Sequence, residues 1–138
     1  MTTGRSDRLG AYRAAQRRFR PDRGQFEQLV AEALASLPHE FRARLDNVAL
    51  VVEDWPSPGL LQRQGLDPES ETLLGFYEGT PLGQRGSAYH LATPDRIILF
   101  RGPILAAGRT RAQVVREVRE TVMHEVGHYF GLAEHELH

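Results

Sequence analysis

Apolar residues along the 138-residue chain change their spacing several times, and each change marks an element. Phe26, Leu29, Val30, Ala33, Leu34 and Leu37 recur at three- and four-residue intervals and stop at Pro38, which predicts a helix from Asp22 onward with one buried face. The run NVALVVED, residues 47–54, is short, apolar and β-branched, and Trp55-Pro56-Ser57-Pro58 closes it. It predicts a buried strand that leaves into a rigid turn. ETLLGFYEG and DRIILFRG predict two more strands, around residues 72–77 and 96–101. The connection between them, GTPLGQRGSAYHLATP, is rich in Gly and Pro and has room for a short strand near 86–91.

The last pattern is the longest. Thr110 with Gln113 resembles a capping box, and Val114, Val115, Val118, Val122 and Val126 then mark one face at helical spacing. Gly131 suits the residue that ends such a helix, because glycine adopts the left-handed conformation without a steric cost. The predicted fold is α+β: an early helix and a C-terminal helix packed on a small mixed or antiparallel sheet.

A chain of this length with 41% hydrophobic residues has room for one domain with one modest core. Its 17 basic side chains are all Arg, its net charge is −1, and it has no Cys. Thiolate ligands and disulfides are therefore excluded, and a metal would have to be held by His, Asp, Glu, backbone or water. Charge is unevenly placed: residues 1–23 hold seven Arg against two Asp, a local +5 that leaves −6 for the rest. Residues 1–21 have too few apolar positions for a core and are expected to form an Arg-rich arm, with a single domain over 22–138. No leader-like apolar segment and no stretch of membrane-spanning length is present, so a cytoplasmic location and no membrane partner are expected.

The predicted final helix carries the candidate chemistry, HEVGH at residues 124–128. Residues four apart share a helix face, so His124 and His128 can present both imidazoles to one cation. Glu125 is rotated by about 100° from His124, which puts its carboxylate beside the cation. There it can take a proton from an attacking water and return it to a leaving amine. One zinc ion per chain fits these donors, since zinc accepts imidazole and oxygen ligands and leaves a catalytic position to water. A third ligand requires the chain to turn, because on a straight helix His135 would lie about 16 Å along the axis from His124. Gly131 permits the turn, and Glu134, His135, Glu136 and His138 are then the candidates, with His90 as a distant one.

The sequence HEVGHYFGLAE, together with LVVEDWPSP, LLGFYEGTPL and PDRIILFRGPIL, resembles the small bacterial zincin-like metallopeptidases, or minimal zincins. The resemblance covers about residues 26–138. It implies a zincin-like minimal domain, His124 and His128 as ligands, Glu125 as general base and Glu134 as third ligand. Glu134 stands where the family carries Asp, and His135 beside it is the alternative, being the better zinc ligand by chemistry. His138 comes last in that order. A peptide or protein is the implied substrate.

Trp55 and the pair Tyr89 and His90 could line a substrate cleft or stabilise an oxyanion, although packing roles are the commoner use of such residues. Segment 72–77 or 86–91 is the candidate edge for pairing with an extended peptide, and Gly75, Gly79, Gly83 and Gly86 would allow close approach there. Two other classes of function stay open. A zinc-binding scaffold or regulatory module would keep the site without turnover. A nucleic-acid-associated protein would use the Arg-rich arm, against which the acidic remainder argues.

Overall fold

A computed structural model of the chain describes residues 18–79 and 94–131. Among them five helices and three strands follow in order: α1 (Arg23–Ala35), α2 (His39–Arg44), β1 (Val48–Glu53), α3 (Pro58–Arg63), β2 (Gly75–Glu78), β3 (Asp95–Phe100), α4 (Arg101–Ala107) and α5 (Arg111–Phe130).

Capping chemistry sets both long helices. Asp22 accepts from the Gln25 amide at 2.8 Å while its own amide donates to Gln25 Oε1 at 2.9 Å, which satisfies two otherwise orphaned donors at the start of α1. Thr110 and Gln113 form the same reciprocal pair at the start of α5. At the far end Gly131 is left-handed, φ 66° and ψ 33°, as its place after the periodic residues predicted.

The sheet is mixed, in the order β1-β3-β2. β3 runs parallel to β1, with Val51 opposite Ile98, and antiparallel to β2, with Tyr77 opposite Ile97. Its central place explains why its sequence is a nearly unbroken apolar run: both of its faces are covered. Ile97 and Leu99 face the main core with Phe26, Leu29, Val118 and Val122, whereas Ile98 and Phe100 pack with Leu60 on the other side. The valine stripe of α5 therefore lies on the same sheet face as α1, while Thr121 and Glu125 on its flank meet β2 and His124 and His128 face solvent.

Differences from the predicted elements are local. The early helix stops at Ala35, and a separate turn of helix, α2, follows Pro38, which fits the ring's inability to continue a helix already under way. The rigid turn after β1 becomes α3, because Ser57 accepts from the Leu60 amide at 3.1 Å and Pro58 sits in the first turn, where no amide is needed. The strand predicted at 96–101 ends at Phe100, and Arg101 begins α4 instead. The strand predicted at 72–77 is seen at 75–78, and the one near 86–91 lies outside the described residues. Upstream of Asp22 the chain already packs on the body: the Phe19 amide donates to the Arg109 carbonyl at 2.9 Å, and Arg101 Nη1 donates to the Pro21 carbonyl at 3.0 Å.

These features separate two kinds of stability loss. Phe26→Ala, at a fully buried position, is expected to cost about 3–5 kcal/mol. Gly131→Ala is expected to cost about 1–2 kcal/mol through its left-handed backbone, since no described residue would meet the added Cβ. Denaturant unfolding of the two variants tests the ranking, and a Gly131→Ala loss equal to that of Phe26→Ala contradicts it.

Candidate metal centre

The solvent face of α5 carries the motif. His124 and His128 are both exposed, one helical turn apart, with ring centroids 4.2 Å apart and ring planes inclined by 43°. Two neighbouring imidazoles on a rigid helix suit a borderline-soft divalent ion such as zinc, and Glu125 stands between them in sequence as a half-buried carboxylate.

Glu125 does not point freely into solvent. Its Oε1 accepts the backbone N–H of Tyr77 in β2 at 2.9 Å. The ladder phase explains why that amide is turned toward α5. Phe100 donates to the Leu74 carbonyl at 2.9 Å, so Leu74, Phe76 and Glu78 direct their main-chain groups at β3, and Gly75 and Tyr77 direct theirs to the opposite edge. Burial raises the Glu125 carboxyl above its ordinary value of 4.5; the Tyr77 donor and the charges of His124 and His128 oppose that shift without cancelling it.

Two clefts meet at Glu125. One, of about 330 Å³, lies between α5 and the start of β2 and is bordered by Leu73, Gly75, Glu117, Glu120, Thr121 and His124. The other, of about 270 Å³, is bordered by Leu73, Phe76, Tyr77, His128 and Tyr129. The first is acidic along its helix wall, and the second is largely aromatic and apolar. His124 thus borders the first cleft and His128 the second, with the Glu125 carboxylate shared between them.

Close approach of β2 to α5 depends on two glycines. A Cβ at Gly75 would come within 2.7 Å of Thr121 Cγ2, and one at Gly79 within 2.4 Å of the Tyr129 hydroxyl. Tyr129 in turn stacks on Tyr77 with centroids 3.9 Å apart, and the Tyr77 hydroxyl donates to buried Asp95 at 2.7 Å. The space that the sequence assigned to an approaching peptide or loop at residues 75 and 79 is therefore taken by side chains of α5.

The structure brings together His124, Glu125 and His128. Glu134, His135 and His138 lie outside the described residues, as do Tyr89 and His90, and among the described residues no group of three His, Asp or Glu converges. Trp55 is 62% exposed and lies against Gly102 at the start of α4, bordering neither cleft. Sequence reasoning missed the Tyr77 amide and Tyr129. It also missed Glu117 and Glu120, although Glu117, Glu120, Thr121 and His124 recur at the spacing of one helix stripe.

This combination, a long helix presenting paired histidines beside the edge of a small mixed sheet, defines a zincin-type domain. The chain belongs to the zincin-like metallopeptidase family, whose sequence profile matches residues 45–138. It is also similar to the solved structure of a conserved hypothetical protein from Thermo thermophilus, with 28% identity and a TM-score of 0.50 over 77% of this chain and 91% of that one. No curated protein matches the chain. Among the described residues no helix is long and apolar enough to cross a membrane.

The raised Glu125 carboxyl has a stability consequence in metal-free protein. The folded state holds this proton more tightly than the unfolded state, so the penalty is absent below the unfolded value and fully present above the raised folded one. Chelator-treated Glu125→Gln is expected to be more stable than chelator-treated wild type at pH 7. That margin should shrink as pH falls through the carboxylate range, read as denaturation midpoints. A margin that grows on acidification contradicts the assignment.

Proposed function

We propose that the protein is a zinc-dependent metallopeptidase. In this reading His124 and His128 hold the ion, with Glu134 as third ligand and His135 as its alternative. The observation that carries it is the arrangement on α5: exposed imidazoles with centroids 4.2 Å apart and a carboxylate tethered beside them where two clefts meet. Membership of the zincin-like metallopeptidase family supports the same reading.

Zinc would supply Lewis acidity, polarising a peptide carbonyl and acidifying a water at neutral pH. The remaining work falls to the chain. Glu125 takes the proton of the attacking water and returns it to the leaving amine. The Tyr77 donor on Oε1 leaves Oε2 to handle the proton. An extended peptide would run past Glu125 through the two clefts, one side chain toward the Glu117–Glu120 wall and another toward Tyr77 and Tyr129.

One observation favours a second reading, a zinc-binding module without turnover. The Tyr77 amide, which an added peptide strand would use for pairing, already donates to Glu125.

Elemental analysis and hydrolysis of unfolded protein substrates separate the two. Wild type is expected to carry one zinc per chain and to lose it in His128→Ala. Loss in Glu134→Ala or in His135→Ala identifies the third ligand. Glu125→Gln is expected to keep zinc and lose hydrolysis by about 10²–10⁴-fold. Undiminished hydrolysis in that variant would end the peptidase reading, and zinc without turnover in wild type would establish the second.

A further inference from the structure

Residues that are neither ligands nor base control where Glu125 points. A glutamate has three rotatable side-chain bonds, and an exposed one samples many rotamers at an entropic cost when it is fixed. Glu125 gains its fixed direction from a main-chain donor, the Tyr77 amide at 2.9 Å. A hydrogen bond to a carboxylate depends on donor distance, so the gap between β2 and α5 decides whether this bond forms. That gap is set where Gly75 meets Thr121, since even one added Cβ would overlap Thr121 Cγ2 at 2.7 Å and approach the Ile98 carbonyl to 3.1 Å. On the other side of Tyr77, the stack with Tyr129 and the bond to Asp95 hold the residue that carries the donor.

We infer that Gly75, Thr121 and the Tyr77 amide form a positioning device for Glu125, in which the closeness of β2 to α5 fixes the carboxylate for proton transfer. The inference rests on the peptidase reading for its catalytic consequence and on geometry alone for the placement. Both can be read separately. In this arrangement Gly75 matters for its missing side chain, and Thr121 for the methyl that fills the space.

The placement is tested by hydrogen exchange of the Tyr77 amide in metal-free protein, followed by NMR. Exchange is expected to be slow in wild type and about tenfold or more faster in Glu125→Ala, because a hydrogen bond to a charged acceptor is lost. Gly75→Ala should speed the same amide, and Gly75→Ala/Thr121→Ser, which removes the overlapping methyl, should restore much of the protection. Tyr77 exchange that is equally slow in Glu125→Ala and wild type overturns the placement, whether or not the protein is an active peptidase. The catalytic consequence is tested by kcat and KM in zinc-loaded protein. Gly75→Ala is expected to lower kcat on the order of ten- to a hundredfold with a smaller change in KM. Adding Thr121→Ser should recover kcat, which general destabilisation by two substitutions would not do. Lost amide protection with an unchanged kcat overturns the positioning role. A wild type without hydrolysis overturns the peptidase reading and, with it, the catalytic role, leaving the exchange data to decide the placement.

Discussion

Helix α5 has to bury one side and expose another, and the rotation of about 100° between successive residues fixes what each side can carry. Once Val114, Val118, Val122 and Val126 are committed to the sheet, His124 and His128 have no choice but the solvent side, and Glu125 falls on the boundary between them. The half-buried state of Glu125 follows from that boundary position. So do its perturbed carboxyl and its reach to β2. The core and the site are thus two readings of one helical periodicity, and a shift in register of α5 would undo both.

The sheet answers to the same helix. β3 sits centrally and is apolar on both faces from Ile97 to Phe100, so that stretch is buried while β1 and β2 flank it. β2 contributes only four residues, yet it lies where its outward amides meet α5. A short strand with glycine at residue 75 and again just past its end can approach a helix more closely than a strand of larger residues. The site is therefore built on two rigid elements where they approach closely, with Tyr77 held by Glu125, Tyr129 and Asp95.

Much of this was legible in the sequence. Valine spacing, the Thr110 capping pair and Gly131 marked α5 and its ends, because those signals are local and each has one dominant physical cause. The unbroken apolar run of β3 and the spacing of HEVGH were readable for the same reason. Shorter helices were not: six or seven residues span too little of a helical period for α2, α3 or α4 to show one. Parallel pairing of β1 with β3 is a contact between distant segments, which no local pattern encodes. The Tyr77 donor was invisible for a different reason, since every residue but proline has a backbone amide and nothing at position 77 advertises its use. The glycines at 75 and 79 signal a close approach, but the neighbour is α5 and not a peptide, as a missing side chain says that something comes close without saying what.

Gly131 closes the described part of α5 in a backbone conformation that is the mirror image of the helix before it. Handedness, more than size, is what that position selects. A D-amino acid would occupy it without strain, and with no described residue within 4 Å of the place a side chain would fill, the position could carry a reporter group. A semisynthetic chain with a D-residue there would keep the helix stop and place a probe three residues from His128, without altering any side chain of the site.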